Sequence, residues 1–246
     1  MEHDHDFLKD RTAVVTGAAG GIGVAICSRL AQSGINLLMI GRKEHKLNAL
    51  SEKLVPFGGR YEYLAGDLTD LAFVDDVIST AEMRFGGFDF LINNAGIAHH
   101  SSMEEMTPEE FDAIMQINVR APYFLCSRSL RVLRKSQLAT IINLCSASSH
   151  KGYPNQSVYV ASKHALLGMS KSLANEVYQE NIRVHCISPG GVFTDMITLV
   201  RPDLTDEGMI QPDDIASIVA FFLENRRSNA VIDEVRVNRC TKAPFS

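Results

Sequence analysis

Residues 12–26 read "TAVVTGAAGGIGVAI", and the way this stretch is read decides the fold. The β-branched, apolar run through Thr16 has the character of a strand buried on both faces. It leads directly into Gly17, Gly20, Gly21 and Gly23, with a helix beginning at about Ile22. Glycine permits a tight turn and lets backbone come close to a phosphate, while a helix start offers unbonded amides and the positive end of a dipole. Strand, glycine turn and helix in that order suit the pyrophosphate of a dinucleotide. The spacing is Gly-x-x-x-Gly-x-Gly, not the commoner Gly-x-Gly-x-x-Gly, and a tight turn in any α/β protein could use the same glycines, so the surrounding chain has to discriminate.

Outward from this stretch, short apolar runs alternate with longer amphipathic segments almost to the end. The runs at 12–17, 36–41, 61–66, 88–94, 139–145, 182–188 and 231–237 read as strands. The segments 22–33, 43–55, 70–85, 107–134, 157–179 and 212–225 read as helices, and "TPEEF" from Thr107 has the cap, proline and acidic first turn of a helix start. Near-continuous apolar strands separated by helices predict a Rossmann-like, doubly wound parallel sheet of about seven strands flanked by helices. Nothing in the chain reads as a linker or a repeat, so residues 10–246 are expected to form one dinucleotide-binding and catalytic domain behind a polar tail over 1–9.

The chain has 246 residues, 46% of them apolar, and a formal charge of −5 spread along its length. No basic stretch suggests a nucleic-acid or membrane surface, and no apolar run has the length of a membrane span. The start "MEHDHDFLKD" lacks a signal-peptide pattern, which points to the cytoplasm. Cys27, Cys126, Cys145, Cys186 and Cys240 are odd in number and far apart, suiting reduced side chains rather than disulfides or a zinc site. His3, Asp4, His5 and Asp6 could ligate a metal, but a short polar terminus is more simply a tail, and no metal is expected.

The second predicted strand is followed by Arg42 and Lys43 where a ribose-binding carboxylate would favour NAD. A guanidinium and an ammonium there can neutralise a 2′-phosphate, so NADP(H) is favoured over NAD(H), unless Arg42 merely faces water. After the third strand, Asp67 is placed to accept from an adenine amino group, though Asp is also an ordinary loop residue. Farther on, "SVYVASKHALLG" sets Tyr159 four residues before Lys163 at the start of a helix, which makes them neighbours on one face. An adjacent cation stabilises a phenolate, as a proton-passing tyrosine requires, although a solvated surface pair would have the same spacing.

With these residues in view, the chain resembles the short-chain dehydrogenase/reductase family in its compact single-domain form, as in 3-oxoacyl-(acyl-carrier-protein) reductase-like members, from about residue 10 to about 237. The motifs that carry the resemblance are "TGAAGGIG" at 16–23, "NNAG" at 93–96, "QINVRAP" with Asn118, "NLCSASS" with Ser146 thirteen residues before Tyr159, and "SPGGVFT" at 188–194. The resemblance implies that Asn118, Ser146, Tyr159 and Lys163 are catalytic. Tyr159 would pass the proton, Lys163 would support it and hold a ribose hydroxyl, Ser146 would hold the substrate oxygen, and Asn118 would interrupt its helix and hold a water linked to Lys163. It adds Ile22, Leu68, Asn94, Ala95, Gly96, Pro189, Gly190, Val192 and Thr194 to the cofactor-binding set, and it implies a homo-tetramer or homo-dimer in which the helices of 107–134 and 157–179 pair.

Two places depart from the family. About sixteen residues separate Thr194 from "QPDDIA", short for a substrate lid, and "IDEVRVNRCTKAPFS" lacks the usual Asp-Gly-Gly after the last strand. Pocket candidates are His99, His100, His150, Lys151, Tyr153 and the segment 196–204, although such histidines are more often exposed loop residues. The leading reading is an NADP-dependent reductase of a 3-oxoacyl, steroid-like or small ketone. An NAD-dependent alcohol dehydrogenase of the same family, a non-catalytic dinucleotide-binding regulator and a nucleotide-sugar epimerase or dehydratase are the alternatives. The intact Asn118, Ser146, Tyr159 and Lys163 set argues against the regulator, and the chain is short for the epimerase.

Overall fold

The structure, a computed structural model, describes residues 6–195, 197 and 205–242. Seven strands form one sheet in the order β3-β2-β1-β4-β5-β6-β7. They are β1 (Thr12–Thr16), β2 (Asn36–Gly41), β3 (Tyr61–Ala65), β4 (Phe90–Asn93), β5 (Thr140–Leu144), β6 (Arg183–Pro189) and β7 (Glu234–Val237), and every pairing is parallel. The helices between them are α1 (Gly21–Gln32), α2 (Glu44–Leu54), α3 (Leu71–Phe85), α4 (Pro108–Met115), α5 (Ala121–Leu133), α6 (Ser157–Val177) and α7 (Pro212–Glu224).

Parallel strands need crossover helices, and each strand then sends alternate side chains to opposite layers. Ala13, Val15, Leu37, Met39, Phe90 and Ile92 pack with residues of α1, α2 and α7. Val14, Leu38, Ile40, Leu91 and Ile141 pack with residues of α3, α5 and α6 on the other face. The strand order reverses between β1 and β4, because β1 pairs with β2 on one side and β4 on the other. In open parallel sheets this switch point, at the carboxyl ends of the strands, is where a crevice forms.

Three expectations are corrected in detail. The helix expected over 107–134 is two helices joined by a π-helical turn, Gln116–Arg120, whose buried member is Asn118. Its cause is legible afterwards: Pro122 has no N–H with which to bond the Asn118 carbonyl four residues back. The last strand starts at Glu234 rather than Val231, and Val231 and Ile232 are exposed. Two residues of the expected tail over 1–9 pack on the domain: Leu8 is buried in the core and the Arg227 guanidinium stacks over Phe7 at 4.2 Å. Elsewhere the sequence-based boundaries differ by at most two residues, for example Ser157–Val177 for 157–179. The expected cap at Thr107 is a reciprocal one: its hydroxyl accepts from the Glu110 amide at 3.2 Å and the Glu110 carboxylate accepts from the Thr107 amide at 3.0 Å.

Candidate active site

The crevice is tied together at the ends of β1 and β4. The buried Thr16 hydroxyl accepts from the amides of Asn94 and Ala95 at 3.1 and 3.0 Å. In return the Asn94 side chain donates to the carbonyls of Thr16 and Gly17 at 3.0 and 3.1 Å. Gly17 has φ +62°, and a Cβ there would lie 2.9 Å from the Ala95 Cα, so only glycine lets the two loops approach this closely. Gly23 is needed for another reason: a Cβ would meet the Gly17 carbonyl at 2.2 Å.

Beyond this junction lies a cleft of about 780 Å³ lined by Gly17, Gly20, Gly21, Ile22, Gly23, Arg42, Lys43, Lys46, Asp67, Leu68, Asn94, Ala95, Gly96 and Thr194, among others. Its floor is the start of α1, where Gly20 provides no side-chain cap and the first turn holds no acidic residue. The starts of α3, α4 and α7 differ, being capped by Asp70, Thr107 and Gln211. An uncapped, glycine-lined helix start in a cleft of this volume fits the pyrophosphate of a nicotinamide dinucleotide. Arg42, Lys43 and Lys46 gather at one end, near Asp67, whose carboxylate accepts from the Thr69 amide at 2.9 Å.

A second cavity, of about 340 Å³, shares Ile22, Asn94, Gly96, Ile97 and Thr194 with the first, so the two adjoin. Ser146, Tyr159 and Lys163 line it, with Pro189, Gly190 and Val192. A polar seam through the sheet fixes the helix carrying Tyr159 and Lys163. Asn93 donates to Asn143 at 2.8 Å, Asn143 donates to Ser170 of α6 at 2.7 Å, and Ser170 donates to the Leu166 carbonyl at 2.7 Å. The Lys163 side chain is 6% exposed and its Nζ donates to the Leu144 carbonyl at 2.8 Å, 5.9 Å from the centroid of the Tyr159 ring. The Ser146 hydroxyl accepts from the Ser148 amide at 3.1 Å, which leaves its hydrogen to donate elsewhere. Asn118 exchanges two bonds with the main chain of Ile97, both at 2.9 Å, and donates to Ser162 at 3.1 Å, next to Lys163 in the chain. A Cβ on Gly96 would sit 3.1 Å from Asn118 Oδ1 and 3.6 Å from Lys163 Nζ, so these polar groups flank the same turn of backbone.

A sequence model of the short chain dehydrogenases matches residues 11–205. The chain belongs to that family. A short-chain dehydrogenase/reductase FrzI from Cladobotryum sp is 33% identical over 88% of this chain and 90% of its own length. The 3-oxoacyl-[acyl-carrier-protein] reductase FabG of Chlamydia trachomatis is 32% identical over 93% of this chain and 95% of its own. The crystal structure of a metagenomic short-chain oxidoreductase in complex with NADP superposes with a TM-score of 0.83 at 30% identity, covering 96% of this chain and 99% of that one. This short-chain dehydrogenase is thus an oxidoreductase of a family that binds a nicotinamide dinucleotide and acts on small molecules.

The other pocket candidates divide. His99 and Tyr153 line the second cavity, and His99 pairs with Glu110 at 3.2 Å. His100 is not among its lining residues, and His150 turns away to Glu234 at 2.5 Å. The Lys151 ammonium lies 5.5 Å from the centroid of the Tyr153 ring. Of the segment 196–204 only Ile197 is among the described residues, and it lines the cavity; His3, Asp4 and His5 are outside them. Among the described residues no group of three or more metal-ligating side chains comes together, and no helix is long and apolar enough to cross a membrane. The sequence reading missed Gln156, Met209, Arg239 and Lys242, all on the wall of the second cavity. The signal was available, because residues just beyond the carboxyl end of any strand, β7 included, face the crevice edge of such a sheet.

The uncapped start of α1 gives a direct test. Gly20 has extended backbone, φ −85°, and an added Cβ meets only the Gly17 carbonyl at 3.3 Å. Gly20→Asp should supply the missing cap and leave thermal stability unchanged or slightly raised, while its charge cuts dinucleotide affinity at least tenfold. Calorimetric titration with NADPH and a melting curve measure both, and undiminished binding would mean that the pyrophosphate lies elsewhere.

Proposed function

We propose that the protein is an NADP(H)-dependent reductase of a ketone, with Tyr159 as general acid. The observation that carries this reading is the adjacency of the two cavities: the glycine-lined cleft shares five wall residues with a space walled by Ser146, Tyr159 and Lys163. The bound dinucleotide would supply the hydride. Tyr159 would give its proton to the substrate oxygen, so that ketone, reduced cofactor and one proton yield alcohol and oxidised cofactor. Ser146 is suited to hold that oxygen, since its lone pair is engaged by Ser148 and its hydrogen is available. The buried ammonium of Lys163 would stabilise the phenolate left behind. Proton resupply would run from Lys163 through a water on the Asn118 carbonyl, which Pro122 cannot bond.

The setting of Arg42, Lys43 and Lys46 at one end of the cleft supports NADP(H) over NAD(H), as does the NADP-bound relative. The four buried free thiols, Cys27, Cys126, Cys145 and Cys186, suit a reducing compartment and hence the cytoplasm. Residues 10–246 would act as one unit, and the exposed Phe111 and Tyr123, with the open Gly168 on α6, suit a two-fold helix pairing in a homo-tetramer or homo-dimer.

Three outcomes follow from this reading. Tyr159→Phe keeps the ring and loses the acid, so turnover of a reducible ketone should fall at least about a hundredfold with cofactor affinity little changed; a fully active variant would place the acid elsewhere. NADPH should bind at least tenfold more tightly than NADH, since a guanidinium–phosphate contact contributes about 1.5–3 kcal/mol, and Arg42→Asp should narrow or reverse that order. Equal titration curves for the two cofactors with the unaltered protein would refute the NADP assignment. Sedimentation at micromolar concentration should give two or four chains per particle, and a single-chain mass would contradict the paired helices.

A further inference from the structure

The second cavity carries a charge pattern that the proton-transfer chemistry does not use. Arg239 and Lys242, from the chain just after β7, line its wall together with Lys163, Gln156, Tyr153 and His99, and no Asp or Glu is among its described lining residues. The Arg239 Nε is buried and has no hydrogen-bond partner among the described residues, and one Nη donates to the soft sulfur of Met209 at 3.3 Å. A guanidinium nitrogen buried without a partner is costly, and it is the kind of group a ligand satisfies. Partial burial, Arg239 and Lys151 together press the Lys242 ammonium below its ordinary value. The carboxylate of Glu234 is not among the lining residues and is turned to His150 at 2.5 Å and Ser188 at 2.7 Å.

We propose that the ketone substrate carries an anionic group, a carboxylate or a phosphate, and that Arg239 and Lys242 hold this group in the second cavity. The inference rests on the reading of that cavity as the carbonyl site and deepens it by naming a substrate class. Arg239 supplies a planar fork that can bond two oxygens of one anion, and Lys242 adds a flexible point charge at the mouth. Tyr153, Ile197 and Met209 give the remainder of the molecule an apolar wall. That none of the described lining residues is acidic matters as much as the cations, because a carboxylate there would pair with Arg239 and repel the ligand.

The test compares matched charged and neutral compounds. With NADPH, 4-oxopentanoate is set against its methyl ester, and dihydroxyacetone phosphate against dihydroxyacetone; the two charged arms separate carboxylate from phosphate. For at least one pair the charged member should have a kcat/KM at least tenfold higher, and that ratio should shrink as salt is added. Arg239→Gln should bring the ratio toward one, Arg239→Lys should restore part of it, and the exposed Lys242→Gln should lower it by a smaller factor. Charged and neutral members used alike by the unaltered protein, or a ratio untouched by Arg239→Gln in a folded variant, would overturn the proposal. If no carbonyl compound is reduced at all, the reductase reading falls separately. Calorimetric binding of the same four compounds to the NADP-saturated protein then decides the anion site: tenfold preference for a charged member, lost in Arg239→Gln, supports it, and equal binding refutes it.

Discussion

One buried hydroxyl holds the two halves of the site in register. Thr16 ends β1, Asn94 and Ala95 follow β4, and the Thr16 Oγ accepts both of their amides while the Asn94 side chain bonds back to the carbonyls of Thr16 and Gly17. Losing that acceptor strands two N–H groups at the crevice, each worth about 1–3 kcal/mol if left unmet. The junction also brings Gly17 against Ala95, closer than any side chain allows, so the glycine turn and the Asn-Asn-Ala-Gly turn form one continuous floor. The glycine-lined cleft and the second cavity adjoin across this floor, and the proposed chemistry depends on their meeting.

The second support is the polar seam from Asn93 through Asn143 to Ser170. Polar pairs at the centre of a sheet are expensive unless satisfied, and here they tie β4 and β5 to α6. The helix that carries Tyr159 and Lys163 is therefore seated by directional bonds as well as by apolar packing, and Lys163 is fixed again by its bond to the Leu144 carbonyl. Rigid seating of this kind is what alignment of an acid with a substrate oxygen requires.

Much of this was legible in the sequence, for identifiable reasons. A doubly wound sheet writes its strands as near-continuous apolar runs, so the seven strands and their parallel sense could be read from 12–17 onward. The glycines and the Tyr159–Lys163 pair can be read from local pattern, because they sit at a strand end and near a helix start, whereas Asn118 and Ser146 are named only through the family resemblance. What escaped depends on geometry that periodicity does not encode. The family resemblance marks Asn118 as a break in its helix, but the π-helical form of the turn at Gln116–Arg120 leaves no trace in an apolar pattern that is helical throughout. Leu8 lies in a polar-looking terminus yet is buried, and two adjacent apolar residues, Phe7 and Leu8, are too few to show a period. Arg239 and Lys242 lie beyond the last strand, where hydrophobic pattern says nothing about which side chains turn back over the cavity.

The central claim is that hydride passes within this crevice between the nicotinamide and a carbonyl carbon while Tyr159 supplies the proton. Reduction of a ketone with NADPH deuterated at C4 of the nicotinamide, followed by mass spectrometry of the alcohol, tests it most directly. The account predicts one cofactor-derived deuterium on the carbinol carbon from one face of the nicotinamide, none on that carbon from solvent, and loss of the product in Tyr159→Phe. Deuterium absent from the carbinol carbon, or product formed undiminished without the phenol, would contradict it.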